Sequence, residues 1–592
     1  MSAPEPPEAV GASEWRRYPS IDLPSPVLAI LPRPEGIWAG GLGGVAQYTE
    51  GDGWSPSSLS LPLRTVAALA CAAGSLLAGG HSGITQSRDG GRTWRRCTVP
   101  DDAGAVTALA TSPRYEQDGT ALAATLGHGI LRTTDFGQIW QTANFGLQSP
   151  DVLALIWHTT ETVIAATSDG LFRSPNAGRA WRALPSTTGR GFSALATTVD
   201  GEVLAAPDTG PPIRSSQNLS QWQPLEGVPD DVRCSALLPL AAGRMLLATA
   251  EHGLLLSRDD RCGWASVSPR TVLSVAAYGL RVYAGTDDGV MRSDDGGETW
   301  TDLPMVPLHD LHRLLLVDGA PLAAGTHSPP VIGDRDGWTV LTATPLPSTG
   351  LFVAPSDTLF GSTPSGLHRS DDRGASWEPV VAGSAGCVTQ MTFADEGCGW
   401  AGVTPDMTLL RSRDGGQTWN GLAAPFGVNP LVALQAITDS ATEQSVSLIA
   451  ATYNERQSTI TVWRSDDEGE HWTRGADSYT AWPAVHTCAA PPLLAIGNTI
   501  TVRQPDGQWL QTTVGETGLR RVASKGAVIV VLARDGLWQS GDSGLTWSRV
   551  AAGFAPDEVM DVALSGSDLF VLLTGGRLWL RPLWRANVVR TR

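Results

Sequence analysis

The stretch "SRDGGRTW" (residues 87–94) returns as "SDDGGETW" (293–300) and again as "SRDGGQTW" (412–419). An octapeptide repeated at such distances is either a reactive site copied several times or a structural turn. Its residue types suit a turn: serine and aspartate hydrogen-bond nearby backbone amides, glycine accepts positive φ, and the closing tryptophan offers a large ring to bury. Further copies are "SDDRGASW" (370–377), "SDDEGEHW" (465–472) and "SGDSGLTW" (540–547). "TTDFGQIW" (133–140), "SPNAGRAW" (174–181), "SSQNLSQW" (215–222) and "SRDDRCGW" (257–264) are degenerate ones.

The tryptophans measure the period. Trp54, Trp94, Trp140, Trp181, Trp222, Trp264, Trp300, Trp338, Trp377, Trp419, Trp472, Trp509 and Trp547 follow one another at intervals of 36 to 53 residues, which signals a repeat architecture. Within residues 105–145, "AVTALATSP", "TALAAT", "ILRTT" and "WQTAN" read as four short strands, the content of one propeller blade. No sustained helical periodicity interrupts them, and 66 glycines with 41 prolines break almost every helical window. The octapeptide then joins the third strand of a blade to the fourth. Thirteen tryptophan-closed units are complete, and "MDVALSGSDLFVLLTGGRLWLRPL" (560–583) begins a fourteenth without its own outer strand. The sequence thus predicts an all-β chain of tandem β-propellers, two seven-bladed rings of four-stranded blades, against the alternative of one ring of ten or more. The expected boundaries are a flexible tail over 1–13, a first ring over 14–308 and a second over 309–592, with "EWRRYPS" (14–20) free to close either the first ring or the last blade.

The octapeptide resembles the BNR or Asp-box repeat, S-x-D-x-G-x-T-W, found in sialidases, sortilin-type receptors, xyloglucan hydrolases and photosystem II assembly factors of the Ycf48 kind. The resemblance covers nearly the whole chain. It implies that the box is structural and lies away from the ligand face, so Asp89, Trp94, Asp135, Trp140, Asp295, Trp300, Asp372, Trp377, Asp414, Trp419, Asp467, Trp472, Asp542 and Trp547 are expected to be scaffold.

Composition excludes several classes of function. With 42 basic and 59 acidic residues the formal charge is −17, and the arginines are scattered, so neither nucleic acid nor an anionic membrane is an expected partner. "MSAPEPPEAVGASEW" has no basic, then apolar, leader pattern and no apolar run is long enough to span a bilayer, so a cytoplasmic, bacterial-type protein is expected. Seven cysteines without a C-x-x-C pair suggest free thiols, and neither a cofactor nor a metal is expected.

Function is then sought in the loops joining strands two and three, on the face opposite the Asp-boxes. In the first ring they carry His81, His128, Asp169, Asp208, Glu251, His252, Asp287 and Asp288, with His327 in the blade after. Such residues around one mouth suit a polar or pH-responsive ligand; glycine-ended polar turns are equally the composition of solvated loop tips. The longest interval, ending at Trp472, contains the extended loops "TDSATEQS" (438–445) and "YNERQSTITV" (453–462), and Tyr453, Asn454, Glu455 and Arg456 form a candidate contact patch.

A glycosidase needs a pair of carboxylates or, in sialidases, a tyrosine nucleophile. The sialidase R-I-P segment has no counterpart in "RYPSID" (17–22) or "LPRPEG" (31–36). The xyloglucan hydrolases match the blade number but their catalytic aspartates cannot be placed on a motif here. The reading is therefore a non-catalytic scaffold or accessory factor presenting loop faces to a protein partner, with a glycoside hydrolase acting on an oligosaccharide between two rings as the alternative.

Overall fold

A computed structural model describes residues 15–582 apart from 20, 22, 58–64, 82, 217, 259–262, 327, 335–336, 343–349, 364–365, 383–386, 405–407, 428, 439–445, 455, 480–484, 490–491, 505, 507, 516–517 and 567. Among these the chain forms fourteen four-stranded antiparallel sheets. Helix is confined to one turn, Tyr115–Asp118, and a few 3-10 turns. The chain divides into two compact units, residues 22–310 (the N-ring) and residues 311–592 with 1–21 (the C-ring), each holding seven of the sheets. It is a tandem of seven-bladed β-propellers.

One blade of the N-ring illustrates the rest: Val106–Thr111, Ala121–Thr125, Gly129–Thr133 and Gln141–Thr142 follow in order from the inside outward. The second and third strands are buried almost throughout, because both faces of a blade pack against its neighbours and a two-sided burial selects continuous apolar runs rather than alternation. Leu77 and Ile84 of the preceding blade meet Tyr115, Leu131 and Trp140 in one core cluster. This contact explains the second glycine of the opening octapeptide. Gly91 sits at φ +83°, and a Cβ there would run into the ring of Trp38 from the blade before.

Each ring closes on itself. In the N-ring the first blade's inner strand, Val27–Arg33, lies beside that of the seventh, Val272–Tyr278, where Ser274 Oγ donates to the Val27 carbonyl at 3.1 Å. In the C-ring the outer strand of the last blade is supplied from the other end of the chain: Arg16–Arg17 pairs antiparallel with Arg577–Pro582. Trp15 Nε1 donates to the Ala551 carbonyl at 2.8 Å, its ring meets Phe554 edge-on at 5.0 Å, and the Tyr18 amide donates to the Leu578 carbonyl at 2.9 Å. Residues 15–18 therefore complete the last blade of the C-ring. Residues 1–13 lie outside the described residues.

Candidate functional site

The Asp-box is a closed network. In the first copy Ser87 Oγ donates to Asp89 Oδ1 at 2.8 Å and accepts from the Gly91 amide at 2.8 Å, while Asp89 Oδ1 accepts from the Thr93 amide at 2.9 Å. The same three bonds recur around Asp372, Asp414 and Asp542. The Thr93 hydroxyl and amide pull the Asp89 carboxyl down to about 2, and the equivalent donors do the same for Asp372 and Asp414. His471 replaces the threonine against Asp467, whose carboxyl its amide and ring draw down to about 2. Asp295 is driven lower still by the Thr299 hydroxyl. Burial opposes the shift at Asp135 and Asp542 but is outweighed by their hydrogen bonds. The tryptophans close the box, with indole to glycine-carbonyl bonds at Trp140, Trp300, Trp419, Trp472 and Trp547. Their burial is uneven: Trp94, Trp140 and Trp181 are buried, Trp300, Trp377, Trp419, Trp472 and Trp547 only partly, and Trp509 is exposed.

On the opposite face the expected ligand loops are largely occupied with holding themselves. Thr125, Thr167, Thr249 and Thr286, each buried at the end of a second strand, donate to the carbonyls of Gly129, Gly170, Gly253 and Gly289 at 2.7 to 3.0 Å. The loop acids and histidines then find local partners. Glu251 takes the Arg233 amide and guanidinium at 2.8 and 2.7 Å. Arg270 bridges Asp288 and Asp302. His252 Nε2 lies 3.4 Å from Asp231, and His128 Nδ1 lies 3.4 Å from its neighbour's carbonyl at Leu126. His81, Asp169, Asp208 and Asp287 are exposed at the loop tips. Among the described residues no group of three or more His, Cys, Asp or Glu side chains is placed to hold a metal ion. His327 lies outside the described residues.

The described residues of the interval before Trp472 lengthen a strand pair. Val446–Asn454 pairs with Thr459–Ser465, so Tyr453 faces Ile460 in the ladder and packs with Ala433, Ala451 and Val462. Asn454 Oδ1 accepts the Gln457 amide at 3.1 Å, Arg456 is exposed, and Glu455 and residues 439–445 lie outside the described residues.

The N-ring instead carries an unanticipated surface on the outer rim of its second to fourth blades. Ile139 is 50% exposed, Phe136 40% and Phe145 81%. Ile139 separates two grooves of about 580 and 330 Å³. The first is lined by Arg88, Arg95 and Arg96, the second by Arg132 and Arg179. Asp89 and Asp135 also line them, so that three arginines stand against two aspartates in the first groove and two against one in the second, which leaves each lining with a small positive excess. Three exposed apolar side chains bordered by arginines are the composition of a binding surface rather than of ordinary solvated rim. The signal was present in the sequence as a departure: "TTDFGQIW" puts Phe136 and Ile139 where the better copies carry glycine and threonine.

A second pocket of about 650 Å³ straddles the seam between the first and last blades of the N-ring. Glu50 and Asp294 both pair there with Arg281 and Arg292, at 2.7 to 3.3 Å, beneath exposed Tyr278 and Leu280. These four charges satisfy one another.

No family model matches the chain. A xyloglucanase from a Paenibacillus species is 23% identical over 332 residues, which are 48% of this chain and 30% of that protein; the chain thus matches less than a third of that relative's length. Among solved structures, the GH74 xyloglucanase from Xanthomonas campestris superposes with a TM-score of 0.64 at 16% identity, covering 96% of this chain and 99% of that one. The GH74 enzyme of Niastella koreensis gives 0.61 at 14% identity with the same coverage. These likenesses are likenesses of fold. Fourteen four-stranded blades with a recurring Ser–Asp–Gly–Trp network give the chain the fold of a tandem β-propeller with Asp-box-like repeats, the fold it shares with these structures.

Proposed function

We propose that this protein is a non-catalytic binding scaffold, and that a protein partner docks on the rim of the second to fourth N-ring blades. The observation that carries this reading is exposed Ile139 between two arginine-lined grooves, with Phe136 and Phe145 exposed three residues before it and six after, in a chain whose overall charge is −17. A partner segment with acidic and apolar side chains complements it: the ring edges bury Ile139 and Phe145, and the arginines select against basic competitors. Of the N-ring mouth-loop charges, Glu251, His252 and Asp288 are engaged by Arg233, Asp231 and Arg270, and Asp169, Asp208 and Asp287 stand exposed at separate loop tips. The free thiols of Cys71, Cys97, Cys234 and Cys398 are compatible with a reducing compartment such as the cytoplasm.

The test is affinity capture of the intact protein from its native extract beside an Ile139→Asp, Phe145→Asp variant. Both residues are exposed, so the fold should survive the change. A stoichiometric partner held by the natural chain and lost by the variant supports the reading, and a partner held equally by both refutes the assigned surface. A second reading, hydrolysis of a xyloglucan-type oligosaccharide, is favoured by the fold shared with a GH74 xyloglucanase and a second GH74 enzyme. Release of new reducing ends from xyloglucan by the purified protein would establish it.

A further inference from the structure

The innermost strands of the two rings differ where they bridge one blade to the next. In the N-ring the bridging side chains are hydroxyls. Thr107, Ser193, Ser235 and Ser274 donate to the carbonyls of Val152, Cys234, Val272 and Val27 at 2.6 to 3.1 Å. In the C-ring, charges take over along three consecutive blades: Arg520 and Arg521 on Leu519–Lys525, Asp561 on Val559–Ser565, and Arg313 on Arg313–Val317. Their registers, Leu519 with Ala533, Val559 with Leu573 and Arg313 with Ala324, set all three strand starts at the end of the ring that carries the loops between strands two and three.

The pairing within this cluster is incomplete. Asp561 Oδ2 accepts the Leu314 amide at 2.8 Å and Oδ1 the Val562 amide at 3.0 Å, with Arg521 Nε 3.4 Å from Oδ1. Arg520 spends its guanidinium on the carbonyls of Pro556 and Val559. Arg313 is half-buried, stacked 5.6 Å from the centroid of Phe352, and makes no hydrogen bond among the described residues. One carboxylate therefore faces two guanidiniums, Arg313 and Arg521, and its oxygens are already held by amides. Burying an unpaired guanidinium is costly, and a face stacked on an aromatic ring leaves its N–H edge directed away from that ring. Arg534, exposed on the loop that follows Ala533, adds a further cation at the same end.

We propose that this end of the C-ring binds an anionic group, a carboxylate or phosphate of a small ligand, with Arg313 as its principal donor, Arg521 beside it and Arg534 at the entrance. A guanidinium edge matches both groups through two parallel N–H···O bonds. The site is independent of the rim surface on the N-ring.

The intact protein is titrated calorimetrically with inorganic phosphate and, separately, with citrate in low-salt buffer. Saturable binding of at least one of them at concentrations up to about 10 mM, weakened about tenfold or more in Arg313→Gln, is the expected result. Which of the two binds tells phosphate from carboxylate recognition. Should Arg313→Gln fail to fold, as judged by its melting curve, Arg534→Gln replaces it, and a severalfold weakening is expected at that exposed position. Absence of saturable binding by both anions, or affinity unchanged in the folded variant, overturns the proposal.

Discussion

Trp140 and Trp509 hold the same place in the repeat and opposite places in the structure, so substituting each by alanine separates what the repeat predicts from what packing delivers. Trp140 is 2% exposed and Trp509 43%. The Trp140 indole fills a cluster with Leu77, Ile84, Tyr115 and Leu131 and donates to the Gly137 carbonyl at 3.0 Å. Removing a buried aromatic of this size costs about 3–5 kcal/mol, with the Gly137 carbonyl losing its partner in addition. At a urea slope of roughly 2–3 kcal/mol/M, that moves the unfolding midpoint of the N-ring down by about 1–2 M. Trp509→Ala removes a side chain that is already nearly half in water and should change stability by about 1 kcal/mol or less. Urea titration of the full chain, followed by tryptophan fluorescence, reads both variants. A Trp140→Ala midpoint within about 0.3 M of the natural protein, or equal losses for both variants, would refute the blade packing described above.

Three further outcomes are expected. The carboxyls of Asp89, Asp372 and Asp414 lie at about 2 in the fold against an ordinary 3.8, so the stability they contribute is complete above about pH 4 and disappears as the pH falls toward 2. Melting temperatures should therefore be flat from pH 7 to 5 and decline below 4, whereas a flat profile down to pH 2 contradicts the network. Thr286→Val keeps the shape of a buried residue but removes its bonds to the Gly289 carbonyl and Asp288, and should cost about 1–2 kcal/mol by denaturant titration. Deleting residues 1–18 uncovers the edge of Arg577–Pro582 and removes the Trp15 and Tyr18 contacts; the shortened chain should form dimers or larger species in size-exclusion chromatography, and a monomer as stable as the full chain would show that the clasp is dispensable.

What could be read from the sequence was what the chain achieves locally. The Asp-box closes within four residues, from Asp89 to Thr93 or from Ser87 to Gly91, so its bonds are written in adjacent letters and repeat wherever the letters do. Ring closure joins Trp15 to Ala551, and only an orphan strand hinted at it. The mouth loops read equally as ligand-bearing or as solvated tips, because their polar residues are visible in sequence while the register is not. Once Thr249 and Gly253 are known to face each other across a tight turn, the polar loop between them is explained as a clamp. Tyr453 shows a related limit: an insertion can lengthen a ladder as readily as a loop, and only the pairing of Tyr453 with Ile460 places this residue in a strand. The C-ring charge cluster lies beyond local reading altogether, since Arg313, Arg521 and Asp561 come from strands more than 200 residues apart in the case of Arg313 and become neighbours only when the ring closes.

In a repeat protein the consensus positions are committed to the fold, so selection for another purpose is most visible where a copy departs from its ring-mates at a cost. Ile139 is such a place. Thr93, Thr299, Thr418 and Thr546 each donate a hydroxyl to the Oδ2 of their Asp-box aspartate. Asp135 receives only backbone amides from the equivalent residue, at 3.0 and 3.1 Å, and the isoleucine side chain stands half in water. Ile139→Thr should restore the missing bond and raise stability by about 0.5–1 kcal/mol, while removing the apolar ridge between the two arginine grooves. A variant that melts higher and captures less partner would show stability surrendered for binding at this residue, the exchange expected of a functional surface. A variant that melts no higher would mean that the third box is not geometrically equivalent to the others, and the argument from departure would fail with it.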